Sequence, residues 1–327
     1  MMLTVADGRG DGRTQALGVL LALALAAVLG FVVLGGRDAP TGPAAATRTA
    51  TAGMSPLTGE PGDPGRAVLA VKVDNAPEAR PWIGVGDADV VYVEPVEAGL
   101  TRLLAVFASR LPPTVGAVRS LRESDLDVLA AYGRPALAYS GNAPELDRDV
   151  AAAAIDGVSA ERVPAAYRRA PDRPAPHDLV ADPAALLAAA PDAAAPRDVG
   201  FRFGPVDAGA TPAAEVVERV GRTEVLARAD GDRWDLTVGG APTDVRPATI
   251  VVQRVPVRTS AIRDVAGAPS PTAVTVGSGP VDVLRDGRRS TGTWSRAAPA
   301  DPTAFTAADG TPLTFAPGPV WVLLVAA

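Results

Sequence analysis

The feature that most constrains this chain is an uncharged run from Thr14 to Gly36, bounded by Arg13 and Arg37. Its core, Leu17 to Leu34, is apolar throughout and would extend ~27 Å as a helix at ~1.5 Å per residue. That is close to the ~30 Å hydrocarbon layer of a bilayer. No polar face interrupts it, which argues against a helix of a globular core, and a secretory signal core is usually shorter. The run predicts a single uncleaved transmembrane anchor over 15–36. A short cytoplasmic tail, 1–14, would precede it, and the bulk of the chain would stand outside the cytoplasmic membrane. Residues 37–65, rich in Gly, Pro, Ala and Thr without apolar periodicity, read as a flexible tether.

What composition excludes is as useful as what it allows. The net charge is −6 and no basic block occurs, so nucleic acid is not an expected partner. There is no cysteine and one histidine, which removes disulfides, thiolate chemistry and Cys- or His-built metal sites. No D-x-D-x-D-G loop, G-x-S-x-G elbow or phosphate-binding G-x-x-x-x-G-K-[ST] loop is present. No metal and no cofactor is expected. Lysine occurs once, at Lys72, in a chain whose other basic residues are almost all arginine.

Beyond the tether two patterns follow. In 66–195, buried strand-like runs (Ala67–Val73, Val90–Val93, Leu103–Phe107, Pro135–Tyr139) alternate with helical signals. Ser120 and Glu123 have capping-box spacing, and Asp182-Pro183 is a helix start. In 198–327 short strands dominate, with turn signals at Asp230-Gly231-Asp232 and Asp286-Gly287. The expected fold class is α+β: an N-terminal α/β-type domain, then a strand-rich C-terminal domain, behind one transmembrane helix. The boundary falls in Pro191–Pro196.

Several motifs occur in order: P-L-T-G (Pro56–Gly59), V-K-V-D-N-A-P-E-A-R-P (Val71–Pro81), A-D-V-V-Y-V-E-P-V-E-A-G-L-T-R (Ala88–Arg102), G-A-V-R-S-L-R (Gly116–Arg122) and A-P-H-D-L (Ala175–Leu179). Later come V-V-Q-R-V-P (Val251–Pro256), D-G-R-R-S-T-G-T-W (Asp286–Trp294) and P-G-P-V-W-V (Pro317–Val322). Together these resemble the YerB-like family of bacterial lipoproteins, a domain of unknown function with N- and C-terminal parts. The resemblance implies a place on the outer face of the cytoplasmic membrane. It carries no established reaction. Lipidation through cysteine is not available to this chain. Where the family tends to Glu-Gly-Gly this chain has Glu97-Ala98-Gly99, and where it tends to Asn after Pro-His this chain has Asp178.

The motifs are dense in polar groups, several just after a strand, where open sheets form ligand crevices. Catalytic candidates are Glu97, Asp74 and His177. Ligand-binding candidates are Asn75, Arg80, Thr101, Arg102, Arg119, Ser120, Arg122 and again His177. Each also has a structural reading: Glu97 with Arg102, or Asp74 with Arg80, as salt bridges fixing loops, and His177 as a loop-holding group. Two functions remain open. One is binding of an anionic or wall-derived ligand, or of an envelope protein. The other is a wall-glycan hydrolase or transglycosylase with Glu97 and Asp74 as acid and base.

Overall fold

A computed structural model describes residues 53–327 apart from 64 and 264–266. Its frame is one eleven-stranded sheet. Toward one edge the strand Leu69–Asp74, buried at every position, pairs antiparallel with Thr101–Phe107 and parallel with Ala136–Ala138. Thr101–Phe107 pairs in turn with Val90–Pro95. Leu69–Asp74 and Thr101–Phe107 are buried along their whole length and, apart from Lys72 and Arg102, apolar between their ends, as strands covered on two faces require.

The sheet then crosses into the second half through the last strand of the chain. Val320–Ala326 lies parallel to Val90–Pro95 on one side and to Thr249–Val255 on the other. Beyond it come Gly277–Arg285 and Arg288–Arg296, an antiparallel hairpin. Its turn is Asp286-Gly287, with φ of 50° and 63°. Two successive positive φ angles are the conformation a tight two-residue hairpin needs, which is why Asp-Gly marks it in sequence.

Alternating side chains feed two cores, one on each face of the sheet. Val71, Val73, Val91, Leu103, Ile250 and Trp321 belong to one, which is covered by the four-stranded meander Glu215–Val220, Thr223–Asp230, Arg233–Val238 and Ala241–Pro242. The other collects Ala70, Leu104, Val322 and Trp294 with the aromatic group Phe201, Phe305 and Phe315.

The expected fold class is corrected on three counts. The first half is not an α/β layer: its described helices, Glu123–Ala130, Asp147–Ala152 and Pro183–Ala188, are short, and antiparallel pairing dominates around them. The Val90–Pro95 and Thr101–Phe107 strands are joined by one tight turn, too short for the helical crossover a parallel pair needs. Second, the strand-rich half is not built on sheets of its own alone: beside its four-stranded meander, its last strand pairs directly with the Val90–Pro95 strand of the first half. Third, among the described residues no helix is long and apolar enough to cross a membrane. The structure therefore gives no support to the transmembrane helix, and the anchor expected over 15–36 and the tail 1–14 lie outside the described residues.

The tether is also shortened. Pro56–Gly59 sits in a closed turn in which the Ser55 and Gly59 amides donate to Glu60 and Ser55 at 2.8 Å each, and Leu57 is buried in the second core. A single apolar residue among turn formers has no period to reveal it.

Candidate functional site

Three strand ends meet on the face of the second core. Arg102 is the register partner of Asp74 on one neighbouring strand and of Glu94 on the other. Above them opens a cleft of about 620 Å³. Asp74, Glu97, Thr101, Arg102, Arg119, Ser120, Arg122 and His177 all line it. Among the candidates read from sequence, Asn75 and Arg80 do not.

Those two act beside it. Asn75 Nδ2 donates to Thr101 Oγ1 at 2.7 Å, while its Oδ1 accepts from Arg80 Nε at 3.1 Å. Arg80 also donates to the Asn75 carbonyl at 2.8 Å and to the Val238 carbonyl of the covering meander. It is a strut between two sheets, and the expected Asp74–Arg80 salt bridge does not form among the described pairs.

Arg119 and His177 share Asp74 instead. Arg119 Nε lies 2.9 Å from Asp74 Oδ2, an ion pair without hydrogen-bond alignment. His177 Nδ1 lies 2.8 Å from the same oxygen. A carboxylate there accepts, so the neutral imidazole carries its proton on Nδ1. Asp74 Oδ1 accepts the Ala76 amide at 3.0 Å. His177 reaches Asp74 because its loop is tied down: its amide donates to Pro174, and Arg173 donates to the Ala79 carbonyl at 2.7 Å.

Glu97 pairs with Arg122, not Arg102. Nε and Nη2 of Arg122 meet Oε1 and Oε2 of Glu97 at 2.7 and 2.8 Å, a two-pronged contact. Ser270, on the ribbon formed by Val257–Arg263 and Pro269–Ala273, donates its hydroxyl to the same carboxylate. Burial pushes the Glu97 carboxyl up, but the Arg122 and Ser270 hydrogen bonds and the Arg122 charge outweigh it and hold the group down at about 2. Ser270 was not foreseen, since it lies 173 residues from Glu97 and belongs to no motif.

Arg102 is left buried without a carboxylate partner among the described residues. It is 8% exposed, and among the described residues its one hydrogen bond runs from Nη1 to the Ser120 carbonyl at 2.8 Å. Burial, then the neighbouring Arg122 and Arg119 charges, bring its guanidinium down to about 10, against the pull of Glu97 and Asp74. It is still a cation at neutral pH.

Under the cleft sits the single lysine. Lys72 Nζ contacts Glu94 Oε2 at 2.5 Å and Asp125 Oδ1 at 2.6 Å, with all three side chains fully buried. Asp125 Oδ2 accepts the Arg122 amide at 2.5 Å, which caps the Glu123–Ala130 helix from within. The cap expected at Ser120 and Glu123 is thereby shifted to Arg122 and Asp125, because Asp125 is already drawn inward by Lys72. Burial and the adjacent Asp125 push Glu94 up to about 8 despite Lys72. No group of His, Asp and Glu side chains arranged to hold a metal occurs among the described residues.

Comparisons with known proteins bear on the fold and the family. The "Putative lipoprotein YerB" of Bacillus subtilis (strain 168) is 50% identical over 58 residues. That stretch covers 18% of this chain and 18% of the relative's length. The crystal structure of the YerB protein from Bacillus subtilis matches with a TM-score of 0.70 at 22% identity, over 84% of this chain and 97% of that one. At that identity the likeness establishes the fold alone. Two family models match, described as the N-terminal and C-terminal domains of a protein of unknown function, DUF3048, over residues 57–196 and 232–322. With most of its length covered by those two models, the chain belongs to the DUF3048 family of YerB-like proteins.

Proposed function

We propose that this protein binds a small anionic ligand at the cell envelope, with Arg102 as the anchor. One observation carries the reading: Arg102 lines the cleft as a buried cation with no carboxylate partner among the described residues, between two arginines that have one each. Arginine's planar fork suits a carboxylate or phosphate. A buried charge without a counter-ion is costly, so an incoming anion gains more there than at the surface. A wall fragment bearing either group meets this requirement. The envelope setting rests on the likeness to a relative named as a lipoprotein.

The hydrolase reading is weakened by the same geometry. A general acid must hold a proton near neutral pH, whereas Glu97 is held down at about 2. Asp74 is engaged by Arg119, His177 and the Ala76 amide.

The test is calorimetric titration of the full chain with inorganic phosphate and with acetate, beside Arg102→Met. Binding of at least one anion that weakens ten-fold or more in Arg102→Met supports the reading. Absence of binding, or equal binding by the variant, removes it.

A further inference from the structure

We propose that the ligand is an amphiphile with one anionic head and an alkyl body, of the alkyl phosphate or fatty acid class. The head would sit at Arg102 and the chain in a mainly apolar groove next to the cleft. This inference rests on the anion-binding reading and narrows it.

The head group follows from charge. Of the three arginines at the strand ends, Arg119 is balanced by Asp74 and Arg122 by Glu97. Arg102 is the one of these three without a carboxylate, and with Arg263 and Glu145 also on the wall the four arginines of the cleft face three carboxylates, which matches one negative charge rather than a polyanion.

The body follows from the neighbouring groove. A second pocket of about 280 Å³ adjoins the cleft and shares Val96, Glu97 and Ala98 with it. Pro95, Gly99, Gly221, Val257, Pro269 and Pro271 complete most of its wall. Its one ionisable lining residue is Glu97, already committed to Arg122 and Ser270. Three of its residues are prolines and offer no N–H. In the turn between the two pockets the Glu97, Ala98, Gly99 and Leu100 carbonyls are already occupied. The Val96 amide donates to Leu100, the Leu100 amide to Glu97, and the Arg222 amide to Gly99, at 2.8, 3.1 and 2.7 Å. The Ala98 carbonyl accepts from the Arg222 guanidinium. A peptide or sugar placed here would give up its bonds to water and find few in return, which is unfavourable, whereas an alkyl chain gives up none.

Two exposed apolar side chains flank the same turn. Leu100, 45% exposed, lines the cleft, and Val257, 36% exposed, lines the groove. An alkyl chain running from Arg102 across the turn would cover both. The Val257–Arg263 and Pro269–Ala273 ribbon walls both pockets, through Ile262 and Ser270 on one and Val257, Pro269 and Pro271 on the other.

The experiment compares dodecyl phosphate, kept below its critical micelle concentration, with ethyl phosphate and dodecyltrimethylammonium, by calorimetry on the full chain. The variants are Val257→Asp, Leu100→Asn and Arg102→Met. The expected result is dodecyl phosphate binding at least ten-fold tighter than ethyl phosphate. Val257→Asp should remove that gain and leave ethyl phosphate affinity unchanged, Leu100→Asn should reduce the gain, and Arg102→Met should weaken both phosphates. Equal affinity for the two phosphates overturns the amphiphile proposal while leaving the anion reading in place. So does a gain that neither groove variant touches, or equally tight binding of the cationic amphiphile. Failure of both phosphates to bind, or indifference to Arg102→Met, overturns the anion reading and this inference together.

Discussion

Glu97 and Arg122 meet through two parallel hydrogen bonds, 2.7 and 2.8 Å long, at the point where a strand turn faces the cap of the Glu123–Ala130 helix. The pair therefore locks the cleft wall as well as neutralising one of its arginines.

That lock is sensitive to acid. The Glu97 carboxyl falls from an ordinary 4.5 to about 2 on folding. The unfolded state binds the proton first, so the stabilisation is complete above about pH 4.5 and disappears as pH falls toward 2. Its size is about 3 kcal/mol at roughly 1.4 kcal/mol per pH unit. Glu97→Gln should lack this component, so the difference in urea stability between wild type and variant should shrink steadily from pH 5 to pH 2. A difference constant with pH would contradict the assignment.

Glu94 has the opposite sign. Its carboxyl rises from an ordinary 4.5 to about 8 in the folded protein, chiefly through burial. Between those values the folded state holds a proton that the unfolded state has released, so stability falls as pH rises from about 4.5 to 8 and levels off above. In Glu94→Gln, urea titrations should show a shallower decline across that window, by the slope of one proton. Lys72→Met should instead lose about 3–5 kcal/mol, because it leaves the Asp125 carboxylate buried without its cation.

Ala98 stands in the left-handed region at φ 57°, where the resemblance suggested glycine. That conformation costs a non-glycine residue about 1–2 kcal/mol, against about 0.5–1 kcal/mol of extra chain entropy lost by glycine on folding. Ala98→Gly should raise stability by about 0.5–1 kcal/mol, read as a higher thermal midpoint.

Gly200 and Gly231 separate strain from crowding. Both have positive φ, 110° and 63°. A Cβ at Gly200 would lie 1.8 Å from the Thr303 carbonyl oxygen, whereas one at Gly231 meets nothing within 4 Å. Gly231→Ala should cost about 1 kcal/mol. Gly200→Ala should cost more than about 2 kcal/mol, because backbone must move as well. Chemical denaturation of the two variants decides it.

The sequence by itself determined what is local or compositional. Apolar runs marked the buried strands, Asp286-Gly287 marked its hairpin because two adjacent residues must take positive φ, and Asp182 capped the Pro183–Ala188 helix through the Ala184 and Ala185 amides. Missing cysteine and near-missing histidine excluded whole chemistries. Polar residues crowded behind strand ends pointed to a cleft, and Asp74, Glu97, Arg102, Arg119, Arg122 and His177 do share one. The tertiary structure alone decided the pairings. Glu97 was as close in sequence to Arg102 as to any arginine, yet it binds Arg122 and a serine from the distant ribbon, and Asp74 leaves Arg80 for Arg119 and His177. Only the tertiary structure could join the two halves into one sheet, since that depends on the last strand lying between Val90–Pro95 and Thr249–Val255. The physical reason is range. Turn and strand signals act between residues a few positions apart, whereas an ion pair depends on atoms brought within 4 Å from anywhere in the chain, and which arginine remains unbalanced depends on all of them at once.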